Sequence, residues 1–178
     1  MRSDYKIIDP NGIYLVTSTV IKWIPIFTSR SYFDILIQSM QFCQMEKNLK
    51  IYAYVILDNH FHMICQALEL SRILQSLKRH TSRCILEKLK NDQKEWLLQL
   101  LVFYKKKHKK DSEHQLWQEG FHPQQIISEG MFKQKVEYIH QNPVKRGYVE
   151  NPEDWYFSSA SEFLLNRKGP IQLDPVTL

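Results

Sequence analysis

Two strand-forming runs, Lys50 to Leu57 and Phe61 to Gln66, are joined by the polar pair Asp58-Asn59. Both are rich in β-branched, aromatic and other apolar residues, and a polar joint this short predicts a hairpin. That hairpin commits the chain to an antiparallel sheet, and the remaining elements have to be arranged around it. Ile13 to Val20 reads as a further strand, because it follows the turn signal Asp9-Pro10-Asn11-Gly12. A helix is predicted from a Ser31 cap to about Lys47, with Phe33, Ile35, Leu36, Met40 and Cys43 at roughly helical spacing. A second, basic helix opens at Ser71 and sets Ile73, Leu74, Leu77, Ile85 and Leu89 on one side. A short strand-like region lies within Leu116 to Ile127. A third helix runs from about Gly130 to Gln141 and stops at Asn142-Pro143, since proline disfavours helical backbone in its predecessor.

The order strand, helix, strand, strand, helix, strand, helix predicts an α+β fold, an antiparallel sheet covered by helices on one face. At 178 residues, with 43% hydrophobic and 12% aromatic side chains, the chain can bury one core. A single domain over 1–178 is expected, with an irregular tail from about Gly147. The net charge of +5 favours a polyanionic partner without proving one.

The longest apolar runs, Ile51 to Leu57 and Trp96 to Tyr104, fall short of the roughly 20 residues a bilayer span requires. Met1 to Lys6 carry no secretory pattern, so cytoplasmic residence without membrane association is the expectation. Cys43, Cys65 and Cys84 are far apart and odd in number, and read as buried thiols in a reducing compartment.

Two features can carry chemistry. In Asn59-His60-Phe61-His62-Met63 the histidines are two apart in a strand, so both point to one face and can share a metal ion. In Glu137-Tyr138-Ile139-His140-Gln141-Asn142-Pro143, Tyr138 and Asn142 are four apart and lie on one helical face. Taken alone, neither establishes a site. A His-x-His pair arises by chance in a chain with seven histidines, and a core tyrosine before a helix-ending Asn-Pro is an ordinary arrangement.

Together they resemble the single-tyrosine transposases with a His-hydrophobic-His motif, the HUH endonucleases, and in particular the group associated with repetitive extragenic palindromes (REP). The resemblance rests on Tyr54-Val55-Ile56-Leu57-Asp58-Asn59-His60-Phe61-His62, on Leu116-Trp117-Gln118-Glu119-Gly120-Phe121, and on the run from Tyr138 through Asn142-Pro143-Val144-Lys145-Arg146-Gly147-Tyr148-Val149 to Glu150. Pro152 to Ala160 is also similar to the family's tail, so the likeness extends from Ile13 to Ala160. It implies a ferredoxin-like sheet with His60 and His62 on a central strand as metal ligands, Asn142 as third ligand, and Tyr138 on a late helix as nucleophile. It further implies Mg2+ or Mn2+ as cofactor, single-stranded or hairpin DNA as partner, and a monomer rather than a homodimer. Insertion-sequence relatives typically place glutamine where Asn142 stands. Asp58 departs from the family, in which proline commonly precedes the Asn-His pair; this bears on the loop and not on the ligands.

The residue types suit that chemistry. Neutral imidazole and an amide oxygen are donors for a divalent cation, and a phenol attacking phosphorus gives a 5′-phosphotyrosine link. A phenol needs a proton acceptor, for which His140 is a candidate. Lys78, Arg79 and Arg83 on the second helix and the lysine loop, including Lys105, Lys106 and Lys107, are candidate phosphate contacts, set against a merely solvated charged surface. Trp117, Phe121 and Trp155 can stack on unpaired bases, although core packing is the more ordinary role. Two other functional readings remain open: a non-cleaving nucleic-acid-binding protein derived from such an enzyme, and a small metal hydrolase with no covalent step.

Overall fold

The structure, a computed structural model, describes residues 7–109 and 112–176. The reading of Met1 to Lys6 and of Lys110 therefore lies outside the described residues. Strands β1 (Ile13–Thr19), β2 (Lys50–Ile56), β3 (His60–Gln66) and β4 (Gln124–Ile126) form one sheet in the order β2-β3-β1-β4. Every pairing is antiparallel. Helix α1 (Arg30–Lys47) connects β1 to β2, and α2 (Leu70–Asn91) with α3 (Glu95–Phe103) lies between β3 and β4. After β4 come α4 (Glu129–His140), the single turn α5 (Asn142–Lys145) and α6 (Ala160–Leu165). This is the expected ferredoxin-like arrangement, with the histidine strand β3 central.

One face of the sheet packs on α1 and α2. Tyr14, Val16, Tyr54, Ile56, Phe61, Met63 and Cys65 meet Phe33, Leu36 and Met40 of α1 and Ile73, Leu74 and Leu77 of α2. The opposite face presents Ile13, Leu15, Ala53, Val55, Ile64 and Ile126 to Phe132, Val136 and Ile139 of α4. The one-faced helical cover expected from sequence is thus extended, because the third helix takes the other face. This explains why β2 and β3 read as near-continuous apolar runs: a strand covered on both faces has no solvent side to mark. A register shift between Ile51 and Ala53 lets the bulged strand send Ile51 and Tyr54 to one core and Tyr52 and Ala53 to the other.

Further differences have local causes. Leu97, Leu98 and Leu101 anchor α3, the run that reads from sequence only as apolar. Pro143 does not end helical backbone; it sits in the first turn of α5, where its missing N–H has no intrahelical acceptor to satisfy. Beyond Gly147 the chain forms a 3-10 turn over Pro152–Asp154 and then α6. Between these, Ser158 bridges Val55 on the outer edge of β2, with Ile56 N donating to Phe157 O at 2.8 Å and Ser159 N to Tyr54 O at 3.0 Å. Cys43 and Cys65 are buried free thiols, and Cys84 is half-buried rather than buried. Among the described residues no helix is long and apolar enough to cross a membrane.

Candidate active site

His60 and His62 face the same side of β3 as Ile64, the side that α4 covers. Strand alternation dictates this, and cross-strand pairing sets His62 opposite Thr17 and His60 opposite Thr19 of β1. Each imidazole is oriented through Nδ1. Asn59 Nδ2 donates to Trp23 O at 3.0 Å, which turns Asn59 Oδ1 toward His60 Nδ1 at 2.7 Å. An amide oxygen only accepts, so His60 carries its proton on Nδ1 and keeps an Nε2 lone pair for a ligand. His62 Nδ1 lies 2.7 Å from Thr17 Oγ1, which leaves its Nε2 likewise uncommitted to Thr17.

Burial keeps both rings neutral. It pulls His60 down to about 3, helped by His62 and by Arg146, and His62 down to about 4, helped by Arg146. An imidazole that stays neutral binds a cation without first losing a proton.

Tyr138, on α4, brings its ring to 5.6 Å from that of His62, and the two histidine rings are 4.9 Å apart. Trp23 extends the series, with its ring 5.2 Å from His60. The sequence Trp23, His60, His62, Tyr138 is therefore a continuous row of rings along the sheet's second face. Tyr138 is 44% exposed, so its side chain is open to solvent. Lys145 Nζ stands 5.8 Å over the Tyr138 ring, and the Arg146 guanidinium 5.9 Å over that of Trp23. Both cations make this end of the sheet suited to phosphate.

Asn142 follows one turn after Tyr138. Its Nδ2 donates to Tyr138 O at 2.8 Å and, more weakly, to Ile139 O at 3.4 Å, closing the C-terminus of α4. The amide nitrogen is occupied in this way, and Oδ1 is the atom left to act as a donor to a cation. Among the described residues no three of His, Cys, Asp and Glu are grouped so as to hold a metal ion. A divalent metal here would rest on the two Nε2 atoms plus oxygen from Asn142, substrate or water, a mixed nitrogen and oxygen donor set.

Asp58, which stands before the Asn59-His60 pair, builds the loop through its backbone and its side chain. Its carbonyl accepts from Ile26 N at 2.9 Å and Phe27 N at 2.8 Å, and its carboxylate lies 3.5 Å from Arg146 Nη1. The histidine hairpin is thus tied both to the segment before α1 and to the segment after α5.

Other candidate residues fare differently. His140 is buried, with Nε2 2.8 Å from Ser159 Oγ, so its partner is the tail. Lys78 is half-buried on the groove that Arg79 and Arg83 also line. Its ammonium donates to Gln118 O at 2.6 Å and to Gly120 O, and burial draws it down to about 8. Lys105 is turned to Lys109 O at 2.8 Å, and Lys106 pairs with Glu119 at 2.7 Å. Arg79, Arg83 and Lys107 are exposed, and the two arginines line an open groove of about 760 Å³ that also includes Lys109 and Phe121. Trp117 is buried and donates to Thr81 Oγ1 at 3.1 Å; half-buried Trp155 donates to Ile56 O at 2.9 Å. Both are packing residues, as is Phe121, which is partly buried against the main core.

Sequence reasoning gave no role to Asn59, Thr17, Lys145, Arg146 or Trp23. Asn59 and the two cations lie inside the quoted motifs; Trp23 follows β1 and has no local signal.

No family model matches the chain. A Haemophilus influenzae protein whose assigned name is REP-associated tyrosine transposase is 38% identical over 56 residues, a match that spans 32% of this chain and 32% of that protein. The structure of a REP-associated tyrosine transposase bound to a REP hairpin superimposes with a TM-score of 0.70 at 18% identity, covering 99% of this chain and 94% of the other. The resemblance seen in the motifs therefore recurs in a local sequence match and in the fold.

Proposed function

We propose that the chain is a metal-dependent DNA strand transferase of the transposase type, acting on single-stranded or hairpin DNA through Tyr138. The observation that carries this reading is the approach of a partly exposed tyrosine ring to within 5.6 Å of the ring of His62, one of a pair of neutral, Nδ1-anchored histidines. The likeness to a transposase solved with a REP hairpin supports the choice of DNA as substrate.

His60 and His62 would hold Mg2+ or Mn2+, with Asn142 Oδ1 as the third protein donor. When bound, the metal supplies Lewis-acid polarisation of the scissile phosphate. Tyr138 Oη attacks phosphorus in line, an O–P bond forms and the P–O3′ bond breaks; the upstream fragment leaves as a 3′-hydroxyl, taking up a proton equivalent to the one the phenol gives up, while the 5′-phosphate of the downstream fragment stays on the tyrosine. Lys145, over the Tyr138 ring, holds the scissile phosphate, where its charge offsets that gathering on the oxygens. Both histidines and the tyrosine come from one chain, which supports a monomeric site.

Incubation with end-labelled DNA hairpins and Mg2+ or Mn2+ should yield a protein–DNA adduct that survives denaturation. Tyr138→Phe should lower its yield by at least about a thousandfold while DNA binding persists. Hairpin binding with no adduct from the unsubstituted chain would instead mark a non-cleaving binding protein, and cleavage that survives Tyr138→Phe would mark a metal hydrolase.

A further inference from the structure

Trp23 stands beside the histidine pair and is not used by the chemistry above. It ends the 3-10 turn Ile21–Trp23 between β1 and α1. Both Lys22 (φ 53°) and Trp23 (φ 59°) occupy the left-handed backbone region. Bulky residues are disfavoured there and persist where the surroundings over-determine them. Here Asn59 does so, since the same carboxamide that accepts at Oδ1 from His60 Nδ1–H donates through Nδ2 to the Trp23 carbonyl. One amide therefore locks an indole and a candidate metal ligand into a fixed relation. The indole is 51% exposed, although large aromatics ordinarily serve the core. Its ring meets His60 edge-on, at 76° between planes, and Arg146 lies over it. Arg146 is in turn steadied by Asp58 at 3.5 Å, and a guanidinium with five donors retains several for a phosphate.

We propose that Trp23 and Arg146 form a subsite for the unpaired nucleotide flanking the cleaved bond, with Trp23 stacking on the base and Arg146 binding its phosphate. The inference rests on the reading of the neighbouring centre as one that cuts DNA. Every base has a π-face, so the platform accepts any unpaired nucleotide, whereas a base within a duplex has its faces covered by its neighbours. The subsite thereby selects single-stranded over duplex DNA next to the scissile phosphate and does not read sequence.

The test uses the full chain bearing Tyr138→Phe, so that binding is read without scission. The probes are a fluorescein-labelled single-stranded oligonucleotide and the same sequence as a blunt duplex. Adding Trp23→Ala should weaken single-strand binding roughly tenfold and leave duplex binding unchanged, while Trp23→Phe should retain most of the affinity. Full single-strand affinity in a folded Trp23→Ala variant, verified by circular dichroism, overturns the subsite, and so does an equal loss on both probes. A measurement without any substitution guards against misfolding: an iodouracil-containing single strand should photo-crosslink to the peptide containing Trp23, and crosslinks confined to other peptides overturn the proposal. Adduct formation at Tyr138 alongside unchanged Trp23→Ala affinity would sink the subsite alone. Single-strand binding that depends on Trp23 in a chain that never forms the adduct would sink the cleavage reading alone.

Discussion

His60, His62 and His140 are buried imidazoles held neutral, drawn by desolvation to about 3, about 4 and about 4 from an ordinary 6.5. The unfolded chain takes up protons first as pH falls, so these groups favour the folded state above about 6.5 and cost stability as pH drops toward about 4. The melting temperature should accordingly decline steadily from about pH 7 to about pH 4.5; a flat profile would contradict the burial of the rings. A second expectation concerns the candidate metal. Millimolar Mn2+ should raise the melting temperature of the unsubstituted chain, as a ligand of the folded state must, and His62→Ala should remove that increment. At this scale the sequence was legible where function is written as spacing. Two histidines at a strand's period and a tyrosine four residues before an asparagine were recognisable, and the fold brings His60, His62 and Tyr138 into one row. Trp23 was illegible, because its importance comes from a hydrogen bond across 36 residues to Asn59.

Helix α4 is the element on which the arrangement turns, since it carries Tyr138 outward and Phe132, Val136 and Ile139 inward. Ile139 is fully buried next to the catalytic candidate. Ile139→Ala should destabilise the chain by about 2–4 kcal/mol, and should weaken adduct formation beyond that loss, because the tyrosine's seat on the sheet loosens. Chemical denaturation and the adduct assay on one sample would separate the two effects. Why α4 was readable and α3 was not follows from their surroundings. The α4 run begins with a Ser128 cap accepting from Met131 N and alternates polar and apolar residues with helical period. The α3 sequence is almost wholly apolar, so its nine residues offer no stripe to identify. The hairpin was legible to within a residue, since Asp58-Asn59 is its only interruption, yet the bulge at Tyr52 leaves no compositional trace.

Across the whole molecule, charge alone was a coarse guide. The excess of Lys and Arg suggested many phosphate contacts, but Lys78, Lys105 and Lys106 spend their ammonium groups on the protein's own carbonyls and on Glu119. On the proposed reading, the candidate contacts that remain, Arg79 and Arg83 on α2, exposed Lys107, and Lys145 and Arg146 by the site, should therefore dominate the salt dependence of DNA binding. Arg79→Ala combined with Arg83→Ala should flatten the slope of log affinity against log salt by about one to two units, whereas Lys106→Ala should barely move it.

The last strand-like contact of the chain is Ser158 against Val55, reinforced where Asp174 N donates to Ile51 O at 2.8 Å. The rim of the seven-residue β2 is occupied by its own terminus, and the rim left available to a neighbour is the three-residue β4. A sheet finished in this manner has little means of recruiting copies of itself sideways. Cutting the chain after Glu150 would uncover a long, apolar border, and light scattering should then register self-association that the intact chain resists.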